Sequence, residues 1–195
     1  MIKLGITGGI GSGKSTICKF FSLLGIPVYE SDNRAKALID NSPIIKKKLI
    51  SSFGESIYRK DGSLDRRKLA DMVFNSPYLL RKLNNIVHPE VRDDFLQWTK
   101  KQVNAPYVIQ ESAILFDSNF YQIMDKTLTV TAPISERISR VTNRDSTTKK
   151  KVLERINNQM ADEQRLNLSD YVIYNGANDL IIGQILEIDK ILKHG

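Results

Sequence analysis

The chain has 195 residues, 41% of them hydrophobic and 26% charged, which is ordinary globular usage and argues against disorder. That length allows one sizeable core with attached lobes and excludes two ordinary domains. A net charge of +7 suits anionic ligands, but the basic residues are scattered, with only Lys46–Lys48 and Lys149–Lys151 as runs, so nucleic-acid binding is not expected.

The first element is an apolar strand, Ile2 to Thr7, entered directly from Met1, so no signal peptide is expected. No stretch approaches about 18 consecutive apolar residues, so no membrane span is expected. A single cysteine, Cys18, excludes an internal disulfide and suits a small buried side chain in a cytoplasmic protein. After the strand, residues 8–15 read Gly-Gly-Ile-Gly-Ser-Gly-Lys-Ser, a G-x-x-x-x-G-K-S loop that leads into a helical pattern over Thr16 to Phe21. Such a loop turns backbone N–H groups inward around α- and β-phosphates; its lysine reaches the β/γ oxygens and its serine hydroxyl suits Mg²⁺. The residues predicted to bind a nucleoside triphosphate are therefore Gly11, Ser12, Gly13, Lys14, Ser15 and Thr16, with Lys14 catalytic and Ser15 on the magnesium. A chance glycine-rich turn leaves the lysine and the helix start unexplained. No cluster of His, Cys, Asp and Glu has metal-ligand spacing, so Mg²⁺ carried with the nucleotide is the one metal expected.

A second apolar run, Pro27–Glu30, is followed by Ser31 and Asp32. Chemistry on an open parallel sheet gathers past the carboxyl ends of the strands, which makes Asp32 a candidate to take a proton from an alcohol acceptor. It would serve equally as an N-cap for a helix starting near Asn33. About 75 residues then separate this run from the third, Tyr107–Glu111, far more than one crossover helix needs. A helical insertion is predicted there. Pro43 and Pro77 suit helix starts, Asp61-Gly62 is a turn signal, and Pro89 is read as opening a helix that ends near Gln102. His88 and, one turn on, Arg92 are substrate-binding candidates, although a lone histidine often only caps or packs. Glu111, at the end of the third run, is another acidic candidate.

The fourth run, Leu128–Thr131, precedes a helix from Pro133 through Arg144, a polar stretch 145–148, and a charged helix through Met160. Few apolar residues anchor this tip, the composition of a mobile lid and equally of a solvated hairpin. Arg137, Arg140 and Arg144 fall at i, i+3 and i+7 on one helix face, suited either to a phosphoryl group or to plain solvent exposure. A fifth run, Tyr171–Tyr174, completes an alternation that predicts an α/β fold: a mostly parallel five-stranded sheet flanked by helices, with a helical insertion and a helical lid.

Several segments together resemble the dephospho-coenzyme A kinase family. The loop Thr7 to Thr16 is similar to that family's opening, and Asp32 falls where it has the last acid of an Asp-x-Asp after strand two. Asp61-Gly62-Ser63-Leu64-Asp65-Arg66 is similar to its D-G-x-L-D-R segment, and His88-Pro89 with Arg92, Glu111, Arg140 and Arg144-Asp145 follow in its order. Departures are Glu30 in place of Asp, Ala113-Ile114-Leu115 in place of Pro-Leu-Leu, and Asp117 in place of Glu. The resemblance implies transfer of the ATP γ-phosphate to the ribose 3′-hydroxyl of dephospho-coenzyme A, with Asp32 acting on the acceptor hydroxyl and Arg140 neutralising charge. It also implies three parts: a nucleotide core (about 1–32, 105–133 and 165–195), a helical coenzyme-binding lobe (about 33–104) and a lid (about 134–164). A monomer or small homo-oligomer is expected. The nearest rival is another P-loop kinase of a small alcohol or a nucleotide. A GTP-dependent switch should carry N-K-x-D and D-x-x-G, and the sequence contains neither.

Overall fold

A computed structural model describes residues 1–74 and 76–194. The elements run β1 (Ile2–Gly8), α1 (Lys14–Leu23), β2 (Val28–Glu30), α2 (Ser31–Asn41), α3 (Pro43–Phe53), α4 (Arg66–Phe74), α5 (Pro77–Lys100), β3 (Tyr107–Glu111), β4 (Lys126–Thr131), α6 (Ile134–Asp145), α7 (Lys149–Asn157), α8 (Asp162–Asn167), β5 (Tyr171–Tyr174) and α9 (Ile181–His194). All five strands pair in parallel, in the order β2-β3-β1-β4-β5. β1 lies between β3 and β4, with Ile6 opposite Glu111 on one side and Leu128 on the other. The loop that leaves β1 therefore emerges at the carboxyl edge where the connections reverse direction, the position at which parallel sheets bind ligands. Among the described residues no helix is long and apolar enough to cross a membrane.

The chain divides into two compact units, Met1–Glu30 with Lys101–Gly195, and Ser31–Lys100. The first holds the sheet. Leu4, Ile6, Ile109, Leu128 and Val130 are fully buried in it, and Ile17, Phe21 and Ile185 bring α1 and α9 into the same core. Strands buried on both faces read as unbroken apolar runs, which is why they were visible in the sequence.

The second unit is helical, with Ile45, Leu49, Phe53, Ile57, Leu69 and Ile86 in its core. Ser42 caps α3 by accepting from the Ile45 N–H at 3.3 Å, and Pro43 takes the first helical position. The Asp61-Gly62 signal is a turn with Gly62 at φ +81°, closed by Ser63, whose N–H and hydroxyl both donate to Asp61 Oδ1. In the family-like Asp65-Arg66 pair, Asp65 Oδ1 accepts from the Lys68 N–H at 3.0 Å at the start of α4, and Arg66 donates to Asp40 at 2.7 Å.

Two local expectations are corrected. Pro89 opens no new helix; it lies inside α5, which is continuous from Pro77 to Lys100. An interior proline costs about 3 kcal/mol, but the apolar stripe of Ile86 and Val87 before it and Val91 and Phe95 after it is buried on both sides, and that packing holds one axis. Helix α2 is already under way at Ser31, so Asp32 sits inside its first turn, where a carboxylate favours the positive end of the dipole, and not at the cap.

Candidate functional site

The phosphate loop joins β1 to α1. Gly11 and Gly13 have φ of +79° and +91°, the left-handed region that only glycine enters freely, and this coils the chain into a cradle. The N–H groups of Lys14 and Ser15, at the start of α1, have no intrahelical acceptor and form an anion site at the helix N-terminus, while those of Thr16 and Ile17 donate to Gly13 O at 2.9 and 3.1 Å.

The outer side of the loop is held by three consecutive carbonyls. Ile10 O accepts from Arg137 Nε at 2.9 Å, Gly11 O from Arg140 Nη1 at 3.5 Å, and Ser12 O from Asn175 Nδ2 at 2.7 Å. In a trans peptide the N–H points opposite to the C=O, so these contacts turn the N–H groups of the following residues to the other side. That of Ser12 closes a turn onto Gly9 O at 3.0 Å, leaving those of Gly11 and Gly13 turned inward. The Ile10 N–H donates to Gln159 Oε1 at 2.9 Å.

Glu111, at the end of β3, accepts from Lys14 Nζ and, at 2.8 Å, from the Ser15 hydroxyl; the lysine and glutamate side chains are largely buried, and Ser15 is exposed at the loop surface. This acid, read from the sequence as a substrate candidate, thus stands at the phosphate loop. It holds the lysine in position while the ammonium keeps donors for phosphate oxygens. The hydroxyl of Ser15 and the carboxylate of Glu111 are hard oxygen donors that fit Mg²⁺. Among the described residues no group of three or more His, Cys, Asp and Glu could hold a metal, so the ion would rely on nucleotide oxygens and water for its remaining ligands. Cys18, one turn into α1, is inert: burial pushes its thiol far up, and the Glu111 carboxylate adds to the shift.

The three arginines of α6 do not act as one face. Arg137 is fully buried, on Ile10 and on Asp162. Arg140 is half-buried and bonds Glu136 and the Asn175 carbonyl, each at 2.8 Å, besides reaching Gly11. Arg144 is exposed and pairs with Asp145, which also receives Arg155. The gradient arises because α6 begins against the loop and ends in solvent. α6 and α7 pack together, with Val141 and Val152 buried, so apolar anchors exist where the sequence showed few.

In the helical unit, His88 and Arg92 lie one turn apart on α5. Burial first, then the Arg92 charge, hold the His88 imidazole below its usual range. Asp32, also in this unit, is exposed in the first turn of α2.

Sequence reasoning missed Asn175, Asp162 and Arg165. Asn175 directly follows β5, and the carboxyl-end rule that singled out Asp32 and Glu111 would have found it. Asp162 and Arg165 carry no such signal.

The sequence model of the dephospho-CoA kinase family matches residues 2–179. The chain is 39% identical over 194 residues to a dephospho-CoA kinase of Porphyromonas gingivalis, covering 99% of this chain and 95% of that protein. It is 37% identical over 191 residues to one of Bacteroides fragilis, covering 98% and 93%. Among solved structures, a Thermus thermophilus protein superposes with a TM-score of 0.87 at 34% identity, covering 100% of this chain and 98% of that one.

Proposed function

This chain belongs to the dephospho-CoA kinase family, and on that premise we propose that it moves the γ-phosphate of ATP to the ribose 3′-hydroxyl of dephospho-coenzyme A. The observation that carries this reading is the convergence of Lys14, Ser15 and Glu111 at a glycine-coiled loop on the carboxyl edge of the sheet. Phosphoryl transfer asks mainly for position and for charge placed against a spreading negative transition state. Lys14 supplies a cation at the β/γ oxygens, and the inward N–H groups supply fixed dipoles. Arg140, anchored beside Gly11, supplies a planar cation for the transferring group. Magnesium, when carried in by the nucleotide, neutralises phosphate charge, and Ser15 with Glu111 is the pair suited to hold it.

An alcohol acceptor gains from a carboxylate that takes its proton, and Asp32 is our assignment for that role, with His88 and Arg92 assigned to the coenzyme end of the site. Residues 134–164 are assigned as the lid. The lone buried Cys18 accords with a cytoplasmic setting, and a monomer or small homo-oligomer is the assembly we assign.

The test is ADP release with ATP alone and with dephospho-coenzyme A added, the product being identified by mass. Acceptor-dependent release with a product one phosphate heavier is expected; release indifferent to the acceptor would overturn the reading. Asp32→Asn then isolates the proton acceptor. It should lower kcat by about a hundredfold or more while leaving the KM for ATP unchanged. A kcat close to that of the parent protein would leave Asp32 only its helix-terminus role.

A further inference from the structure

Behind the phosphate loop lies a buried group of charges that the reaction as described does not use. Asp162 Oδ2 accepts from Arg137 Nη1, and Asp162 Oδ1 accepts from Arg165 Nη2 at 2.6 Å. Both arginine side chains are almost wholly buried, at 1% and 4% exposure, whereas the carboxylate between them is 39% exposed. Two cations thus share one anion. Among the described residues, Arg137 Nη2 and Arg165 Nε and Nη1 are buried without a hydrogen-bond acceptor.

These groups are aimed at the loop. A Cβ placed on Gly9 would meet Arg137 Cζ at 2.8 Å and Arg165 Nη2 at 3.1 Å, so both guanidinium groups lie against bare backbone. Gly9 is the variable second position of the G-x-x-x-x-G-K-S run, and this contact explains its glycine: any side chain would push the arginines away. From the same position Arg137 Nε holds the Ile10 carbonyl outward.

A buried cation without a full countercharge is costly, and a purely structural strut would be better made from a neutral or matched pair. The missing negative charge is what a nucleotide triphosphate brings to the opposite side of a loop one backbone thick. We propose that Arg137, Asp162 and Arg165 form a positioning unit with a net positive charge, which orients the phosphate loop and strengthens its hold on the nucleotide phosphates from behind. Arg137 supplies orientation through Ile10, Arg165 supplies the excess charge, and Asp162 moderates it. The unit touches no reacting atom. The inference rests on the kinase reading, but it concerns nucleotide binding and is tested without the acceptor.

Arg165→Met keeps the bulk of the side chain and removes the excess charge, leaving the Arg137–Asp162 pair and the Ile10 contact in place. Its dissociation constant for ADP, measured by calorimetry, should rise about tenfold or more, which corresponds to about 1.4 kcal/mol. Its ligand-free melting temperature should be unchanged or higher, since an uncompensated buried charge has gone. A strut gives the opposite pattern, a lower melting temperature with ADP affinity intact, and that result would overturn the proposal. Asp162→Asn provides an independent reading in case Arg165→Met does not fold. With the moderating carboxylate gone, the ligand-free protein should melt lower, yet ADP should bind about threefold or more tighter and raise the melting temperature further than in the parent protein. Equal or weaker ADP binding by Asp162→Asn would also refute the unit. Because both measurements use ADP alone, failure of the kinase reading is seen separately, as absence of acceptor-dependent ADP release by the parent protein.

Discussion

The two units handle charge in opposite ways. In the sheet unit, ionic groups are drawn inside around the phosphate loop: Lys14 with Glu111, and Arg137 and Arg165 with Asp162. In the helical unit the core cluster is apolar, and the pairs Lys48–Glu90 and Arg66–Asp40 lie toward solvent. Buried charge costs free energy that exposed charge does not, so its concentration around one loop marks where an anionic ligand is handled, whereas the helical unit invests its packing in shape.

The largest expected effect breaks the sheet unit's side of this contrast. Lys14→Ala removes the loop cation and should lower kcat/KM by about a hundredfold to a thousandfold. It should also leave the buried Glu111 carboxylate without its lysine countercharge, so a modest fall in melting temperature accompanies the kinetic loss. Steady-state kinetics on a variant shown by circular dichroism to be folded is the check; turnover within a few-fold of the parent would remove Lys14 from the machinery.

The helical unit should fail by packing. Leu49→Ala, at a fully buried site, should cost about 2–5 kcal/mol in chemical denaturation. At temperatures where the variant is folded, its affinity for ADP should match that of the parent protein, and a parallel loss of ADP affinity would contradict the division of labour.

A smaller effect belongs to His88. Its imidazole is held below the ordinary value, by burial first and by Arg92 second. A base with a depressed folded-state value binds fewer protons folded than unfolded, so the stability involved is fully present above about pH 6.5 and declines as pH falls from there toward the folded value. Denaturation midpoints should drop on acidification through that window, and His88→Gln should flatten the slope. An identical slope in the variant would assign the acid sensitivity elsewhere.

The smallest effect should come from a surface pair. Lys48→Met removes an exposed contact to Glu90 and should shift stability by no more than about 1 kcal/mol, diminishing further in salt. A larger loss would show that the helical unit relies on its ion pairs after all.

The sequence by itself determined what depends on contiguous residues. Residues 8–16 carry their chemistry in their own spacing, because a glycine-coiled turn between a strand and a helix makes the same cradle wherever it occurs. The five strands were legible because burial on both faces demands unbroken apolar runs, and the Asp61-Gly62 turn because glycine alone enters its backbone region freely. The tertiary structure decided everything that depends on which distant segments meet. Asn175 reaches Ser12 across 163 residues because β5 lies at the edge of the strand order beyond β4, and no local pattern encodes that order. Arg137, Arg140 and Arg144 have one spacing and three fates, since the first turn of α6 abuts the loop and the last meets water. Pro89 reads locally as a helix start and is overruled by burial on either side of it. The physical reason is common to these cases: backbone preference acts over a few residues and can be read along the chain, whereas burial and charge pairing act through space and take their values only once the sheet has set the neighbours.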